Sequence, residues 1–150
     1  MTEPLTYRLN SASLREIFFH LNICDQEFTP SLSGKVNIEE YAGKLHSRAE
    51  TFEAWSKESL VGLVAVYAND TGGQGYISSV SVLPEWTGQN IATTLLKKSI
   101  EFLARASFHS VRLKVGKQNH SAISLYCKLG FQCEVEDDEF ISMCLLNNRG

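Results

Sequence analysis

The stretch from Tyr76 to Phe102 holds residues whose types and spacing point to chemistry. Its first eight or so residues predict a strand, which Pro84 closes because proline has no amide to donate to a ladder. Gly88 and Asn90 then form a short turn, and both residue types tolerate positive φ. A helix that begins at such a turn leaves amides without internal partners, and the helix dipole makes them an anion site. The turn therefore predicts a site for a pyrophosphate.

A helix start that binds no ligand is the alternative interpretation of this turn. A helix N-terminus of this kind can bind nothing but water. The turn is not a dinucleotide fingerprint, because the third glycine is absent, nor a P-loop, because no Gly-Lys-Ser/Thr follows. The helix itself is amphipathic, with lysines and a glutamate opposite an apolar face that comprises Ile91, Leu95, Leu96, Ile100 and Leu103.

A second segment with chemical potential runs from Asn119 to Phe131. Helical spacing places Tyr126 on the inward face, with Ala122, Leu125 and Leu129. Asn119 is the predicted cap of this helix, and Gly130 ends it. In a Schellman ending, Tyr126 and Phe131 make the usual apolar contact. Tyr126 is therefore either a reactive hydroxyl or a packing residue.

The elements around these segments predict an α/β (α+β) fold. Its mixed, mostly antiparallel central sheet has about six to seven strands and is flanked by about four helices. The other predicted strands are Tyr7–Leu9, Thr51–Trp55, Leu60–Tyr67, Val111–Val115, Phe131–Val135 and Phe140–Leu146. Asn10 or Ser11 is expected to cap a first helix, and Asn37 a second. Phe28 and Leu32 suggest a packed loop, and Asn69–Gly73 a tight turn.

Composition restricts the classes of protein. The 150 residues predict a single domain over 1–150, and the net charge of −3 argues against nucleic-acid and anionic-membrane partners. No apolar run reaches transmembrane length and no signal peptide is evident, so a cytoplasmic location is expected. The four cysteines and four histidines lack metal-site spacing, so no metal is expected. The cysteines, Cys24, Cys127, Cys133 and Cys144, are expected to be free thiols.

Taken together, the two segments resemble the GNAT-type N-acetyltransferases, which move an acetyl group from acetyl-CoA to an amine. Residues 80–92, followed by Leu95 and Leu96, resemble the family's strand and pyrophosphate-binding turn. Residues 119–131 resemble its asparagine, alanine, tyrosine and glycine-phenylalanine positions. The resemblance is clearest from Leu60 to Phe131, and it implies acetyl-CoA as cosubstrate, no metal and the acyl-CoA N-acyltransferase fold.

The resemblance also implies roles for individual residues. The pyrophosphate would be held by the amides of Gly88, Gln89, Asn90, Ile91, Ala92 and Thr93. Val80 and Val82 would pair with the pantetheine arm as an added strand. The amide near Ser81 or Val82 would polarise the thioester carbonyl. Asn119 would contact the pantetheine, and Tyr126 would protonate the leaving thiolate.

Two positions depart from the family pattern. Thr87 stands where the family usually has arginine or glutamine, which removes a long or charged partner for phosphate. Asn90 replaces a glycine, and asparagine is the mildest such replacement at positive φ. Both changes bear on the affinity for the cofactor.

The general base is left open, because no carboxylate lies between Tyr76 and Leu83. Ser78, Ser79 and Ser81 occur there instead, and are expected mainly to bond within the sheet or else to hold a water chain. The carboxylates considered as bases are Glu85, Glu53, Asp25 and Glu40. The acceptor site is expected from the first two helices, the loop 25–35 and the terminal hairpin. Its polar and aromatic candidates are His20, Asp25, Phe28, Tyr41 and His46.

Three functions compete. The favoured one is acetylation of a primary amine in a small molecule, such as an amino sugar or an amine metabolite. The alternatives are acetylation of a protein N-terminus or lysine, and a non-catalytic CoA-binding sensor of the same fold. The expected partner is a small-molecule amine acceptor, without nucleic acid or membrane, and a homodimer is left open.

Overall fold

A seven-stranded mixed sheet organises the residues described by the computed structural model, which are 4–25, 31, 33–34, 36–68 and 73–147. The elements in chain order are β1 (Thr6–Leu9), α1 (Leu14–Cys24), α2 (Ile38–Arg48), β2 (Glu50–Ser56), β3 (Ser59–Tyr67), β4 (Gln74–Val82), α3 (Ile91–Arg105), β5 (Ser110–Gly116), α4 (His120–Lys128), β6 (Gln132–Glu136) and β7 (Phe140–Leu146). The strands are ordered β1-β2-β3-β4-β5-β7-β6. The predicted architecture is confirmed.

One pair of strands at the centre of the sheet is parallel, and the others are antiparallel. β4 pairs with β5 only from Gln74 to Ile77, against Ser110 to Leu113. β4 nevertheless continues to Val82. Its residues 78–82 therefore have no ladder partner on the β5 side among the described residues. The sheet is open at this point.

The opening begins at a β-bulge in β4. Ala65 of β3 pairs with Ser79, and the next residue, Val66, pairs with Ile77. Ser78 is thus the extra residue of the bulge, and it has no pairing partner on β3. A bulge bends its strand and increases the local twist, so it helps β4 to diverge from β5.

Helices cover both faces of the central strands. Gly62 and Val64 of β3 face α3, whereas Leu63 lies in a separate apolar cluster with α1 and α2. Burial on both faces explains why β3 is a nearly continuous apolar run. Residues 51–56 of β2 are all buried as well.

The cap of α1 differs from the prediction. Ser13 is the N-cap, and it forms a capping box in which Glu16 also bonds back to the Ser13 amide. Asn10 instead accepts a 2.7 Å hydrogen bond from the Thr51 amide. The hydroxyl of Ser11 donates to Glu53 at 2.7 Å. Both expected caps therefore bind the neighbouring strand β2.

The other predicted helix ends are confirmed. Asn37 caps α2, and Asn119 caps α4 by accepting a 3.3 Å hydrogen bond from the Ala122 amide. Gly130 has a φ of 104°, and the Phe131 amide donates to the Tyr126 carbonyl at 3.0 Å. This is the Schellman ending expected from the sequence.

The terminal hairpin forms as predicted, but its second strand is the inner one. β7 lies between β5 and β6, and β6 occupies the edge of the sheet with all of its residues exposed. Phe28, Leu32 and residues 69–72 lie outside the described residues, so the packed loop and most of the tight turn stay predictions.

Among the described residues, no helix is long and apolar enough to cross a membrane. None of the four cysteines forms a disulfide; Cys24 and Cys144 are buried, and Cys127 and Cys133 are exposed. The single-domain assignment and the cytoplasmic location stay predictions.

Candidate active site

The turn after β4 has the backbone expected of it. Pro84–Trp86 forms a turn of 3-10 helix, and Gly88 and Asn90 follow with φ of 82° and 61°. Ile91 is buried, which fixes the first residue of α3 against the sheet. The turn itself, from Thr87 to Asn90, is exposed.

The N-terminus of α3 has free backbone donors. α1, α2 and α4 each have a side-chain cap, whereas Asn90 makes no such bond to α3. The Thr94 amide is the first to bond within the helix, to the Asn90 carbonyl at 3.0 Å. The amides of residues 91–93 precede that bond, and the first turn carries no acidic residue. The helix dipole therefore favours an anion here.

Thr87 does not replace the missing arginine or glutamine. Its hydroxyl donates its single hydrogen to the Pro84 carbonyl at 2.9 Å, within the turn. It therefore has no hydrogen left for an anion in this conformation. The backbone amides of the turn remain available as donors.

The open edge of β4 presents backbone groups as well. The Leu83 amide donates to the Val61 carbonyl of β3 at 2.9 Å. Because backbone groups of successive strand residues point to opposite edges, Val82 and Val80 direct theirs toward the opening. The same alternation turns the Ser81 amide toward β3. Of the two amides considered for the thioester carbonyl, that of Val82 is the better placed.

Tyr126 is buried, with 6% of its surface exposed. Its ring meets Phe131 edge to face at 5.9 Å between centroids, so the predicted packing contact is present. Its hydroxyl makes no hydrogen bond to a described residue, and burial raises the pKa of Tyr126 above its usual value. The hydroxyl is thus protonated at neutral pH, as a proton donor must be.

His20 of α1 is buried and hydrogen-bonded at both ring nitrogens. Nδ1 lies 2.9 Å from the Leu60 carbonyl, and Nε2 lies 2.8 Å from the Ser81 hydroxyl. A carbonyl only accepts, so Nδ1 carries the hydrogen. Burial lowers the pKa of His20 to about 4, so the ring is neutral at pH 7. Ser81 therefore donates its hydrogen to Nε2.

Tyr41 of α2 contacts the bulge in β4. Its hydroxyl lies 2.9 Å from the Ser78 carbonyl and 2.6 Å from the Ser78 hydroxyl. Burial raises the pKa of Tyr41 to about 12. Ser78 and Ser81 thus bond to helix side chains, and the expectation that they bond within the sheet was wrong. A polar residue on each apolar helix face was the signal: His20 beside Ile17, and Tyr41 beside Leu45.

The candidate bases are dispersed. Glu53 is fully buried, and its carboxylate accepts hydrogen bonds from the Ser11 amide and hydroxyl, the Ala12 amide, the Thr51 hydroxyl and the Trp55 indole. These bonds give Glu53 a structural role, joining the segment before α1 to β2. Glu85 and Glu40 are exposed, and Asp25 accepts a 2.8 Å bond from the Ser33 amide. His46 is exposed on α2.

Metal ligands do not gather in the part of the chain that the structure describes, since no group of three histidine, cysteine or acidic side chains is close enough to hold an ion. The arrangement instead offers backbone donors. A strand edge at residues 78–82 leads to uncapped amides at residues 91–93, and a buried hydroxyl lies on α4, which follows β5 in the chain.

This combination defines a class of protein. A mixed sheet that opens between its two parallel strands, with four helices around it, is the acyl-CoA N-acyltransferase fold. The sequence matches the Acetyltransferase (GNAT) family over residues 14–131. The chain therefore belongs to that family of acyltransferases, as its two motifs predicted.

Solved structures share the fold at low sequence identity. The PaiA N-acetyltransferase from Thermoplasma acidophilum, in complex with coenzyme A, is 18% identical with a TM-score of 0.72, over 95% of this chain and 99% of the other. An acetyltransferase from Salmonella typhimurium with acetyl-CoA is 16% identical with a TM-score of 0.75, over 97% and 95% of the two chains.

Characterised relatives match over shorter segments. Thialysine N-epsilon-acetyltransferase from Mus musculus is 32% identical over 77 residues, which are 51% of this chain and 45% of the relative. N-alpha-acetyltransferase 30 from Schizosaccharomyces pombe is 33% identical over 58 residues, which are 39% of each chain. The match thus spans less than half the length of each of these relatives.

Proposed function

We propose that this protein transfers an acetyl group from acetyl-CoA to a primary amine of a small molecule. The observation that carries the proposal is the unpaired edge of β4, which leads directly to the uncapped N-terminus of α3. An extended amide-containing chain that ends in a pyrophosphate fits both features. The pantetheine arm and pyrophosphate of CoA form such a chain.

The cofactor would bind mainly through backbone groups. The amides from Gly88 to Thr93 would hold the pyrophosphate, and Val80 and Val82 would pair with the pantetheine as an added strand. Asn119 uses its amide oxygen to cap α4. Its amide nitrogen makes no hydrogen bond to a described residue, so it can donate to the pantetheine. The two structural neighbours solved with CoA or acetyl-CoA support this cosubstrate.

The chemical step would proceed by direct attack. The lone pair of the amine nitrogen forms a bond to the thioester carbon, and the Val82 amide stabilises the negative charge that develops on the carbonyl oxygen. The C–S bond then breaks and its electron pair leaves on sulfur. Tyr126 donates a proton to that thiolate, the proton lost by the amine passes to water, and water returns a proton to Tyr126.

The acceptor side favours a small amine. His20 and Tyr41 reach β4 from the face opposite α3 and contact Ser81 and Ser78. Of these groups, Tyr41 and Ser78 are partly exposed, and they form a polar surface beside the opening that is suited to an amine. The mouse relative acts on thialysine by its name, and it supports a small acceptor. The yeast relative is named as an N-alpha-acetyltransferase, so a protein N-terminus is the second candidate.

The test is an acetyl-transfer assay that follows release of the CoA thiol. Thialysine, putrescine, glucosamine and a peptide with a free N-terminus serve as acceptors, and CoA binding is measured separately by calorimetry. We expect CoA binding and turnover of at least one small primary amine. Binding of CoA without any turnover would favour the sensor, and turnover of the peptide alone would favour a protein acceptor.

A further inference from the structure

Ser78 is attached to α2 by both of its oxygen atoms. It is the extra residue of the bulge, and it follows Ile77, the last residue of β4 that pairs with β5. The Tyr41 hydroxyl contacts the Ser78 carbonyl at 2.9 Å and the Ser78 hydroxyl at 2.6 Å. A single side chain from α2 thus holds the residue at which the sheet opens.

Counting hydrogens fixes the direction of these two bonds. The Ser78 carbonyl can only accept, and a 2.9 Å approach of two oxygens without a hydrogen between them is repulsive. Tyr41 must therefore donate its one hydrogen to that carbonyl. In the second contact Ser78 must then be the donor, to the Tyr41 oxygen. The Ser78 hydroxyl oxygen is left with lone pairs and no hydrogen to offer.

Ser81 is held in the same state by a different partner. Its hydroxyl donates to Nε2 of His20, whose Nδ1 hydrogen bonds to the Leu60 carbonyl. Two serines on one face of β4 therefore act only as acceptors toward any further partner. Ser81 is buried, whereas Ser78 is partly exposed, so Ser78 is the one accessible to a ligand.

We propose that the Ser78 hydroxyl oxygen accepts an N–H of the acceptor amine, and that Tyr41 is the positioning residue that makes it an obligate acceptor. This inference rests on the proposed acetyl transfer and specifies how its acceptor is held. The amine binds from the face of α1 and α2, opposite the cofactor turn on α3. One N–H points to Ser78, which directs the nitrogen lone pair away from it and toward the opening.

The proposal also names the chemical requirement for an acceptor. A site with hydrogen-bond acceptors alone selects groups that donate, because a ligand without a hydrogen leaves the oxygen unpaired. A primary amine keeps at least one N–H after its lone pair is directed at the thioester. A tertiary amine has none and is excluded.

The test is a double-mutant cycle with Tyr41→Phe, Ser78→Ala and the double variant. Each uses the best acceptor found among thialysine, putrescine and glucosamine. Each single variant should lower kcat/KM for the amine by about tenfold, the effect of one lost hydrogen bond. The double variant should be no worse than Ser78→Ala, because Tyr41 acts through Ser78. The CoA dissociation constant should stay within about twofold of wild type.

Matched variants separate positioning from folding. Ser78→Thr keeps the hydroxyl and should retain most of the activity. Ser47→Ala removes a hydroxyl on α2 that bonds only to the Lys44 carbonyl, and Tyr7→Phe removes one on β1, so both should behave as wild type. Melting curves for all variants report any loss of fold.

Several results would overturn the inference. Losses that multiply in the double variant would show that Tyr41 acts independently of Ser78. Wild-type kcat/KM in Ser78→Ala would remove Ser78 from the acceptor site. A loss of CoA affinity as large as the loss in kcat/KM would assign Tyr41 and Ser78 to the CoA-binding site. In each case wild-type turnover leaves the proposed function standing. If the wild-type protein acetylates no amine, the proposed function and this inference fail together.

Discussion

Gly62 on β3 and Ile91 at the start of α3 are in direct contact. A Cβ added to Gly62 would lie 2.6 Å from Cγ2 of Ile91, closer than real side chains approach, and 3.2 Å from Leu95. Gly62 also pairs with Val82, near the end of the open edge of β4. The absence of one methyl group thus lets the anion-binding turn lie against β3, next to the strand that carries the proposed thioester site.

Gly62→Ala should therefore move the first turn of α3 away from the sheet. We expect a loss of about 1–3 kcal/mol in the free energy of unfolding, typical of an overpacked core, with weaker CoA binding. Denaturant melts and calorimetry measure the two effects. Gly43→Ala in α2 is the matched control, because its Cβ would meet Leu14 of α1 at an ordinary 3.7 Å. It should stabilise the protein by about 0.5–1 kcal/mol. Equal stability of the two variants would contradict the close contact.

Gly88→Ala tests the turn itself. The space around its Cβ is open, so the cost arises from its φ of 82° rather than from a collision. The amide of residue 88 should reorient, and the thermal stabilisation by CoA should shrink. Ser107→Val, at a φ of 66° beyond the other end of α3, is the control that adds strain but should keep the full CoA response. An unchanged CoA response in Gly88→Ala would remove this amide from the phosphate site.

Tyr126→Phe separates chemistry from packing. It removes the hydroxyl and keeps the ring against Phe131, so the melting temperature and CoA affinity should change little. Loss of a general acid should lower kcat by about 100- to 10,000-fold. Steady-state kinetics with the best amine, beside a melting curve, give the answer. A wild-type kcat would return Tyr126 to a packing role alone.

His20 should make stability depend on pH. Its folded pKa of about 4 lies below the ordinary 6.5, so between these values only the unfolded chain binds the proton. Stability contributed by neutral His20 is complete above pH 6.5 and decreases as pH falls to about 4, by roughly 3 kcal/mol at most. Its two hydrogen-bond partners, the Ser81 hydroxyl and the Leu60 carbonyl, carry no negative charge that would offset protonation.

The check is the free energy of unfolding at several pH values for wild type and His20→Gln. The difference between them should change across this window. His46→Gln is the control, because it removes an exposed histidine and leaves the buried contacts in place. A His20→Gln protein with the wild-type pH slope would show that His20 is not the group responsible.

Features set by neighbouring residues were predictable from the sequence. The turn at Gly88 and Asn90 and the ending of α4 at Gly130 depend on backbone preferences within a few residues. The predictions that were wrong depend on contacts between distant segments. Ser11 binds Glu53 across 42 positions, which took it away from the helix cap and gave Glu53 its structural role.

The candidate site likewise has a part that was predictable from local sequence and a part that was not. Its backbone donors follow from local turn and strand signals. The partners of the β4 serines do not, because Tyr41 reaches Ser78 across 37 positions, and His20 reaches Ser81 across 61. An isolated polar residue on an apolar helix face shows that a partner exists, but only the packing of that helix on the sheet shows which one.

The insertion of β7 between β5 and β6 has a consequence for the order of folding. β1 to β4 can assemble from strands that neighbour one another in the sheet as they emerge. The pairing of β5 is completed later, because Ser110 of β5 pairs with Leu146 of β7. The antiparallel edge of β5 therefore has no partner until β7 has been synthesised. β6 must not pair with that edge of β5, although β6 is synthesised before β7. Pulse-labelled hydrogen exchange on ribosome-bound chains that end before or after β7 should find β2 and β3 protected in both, and protection of β5 before β7 is present would exclude this order.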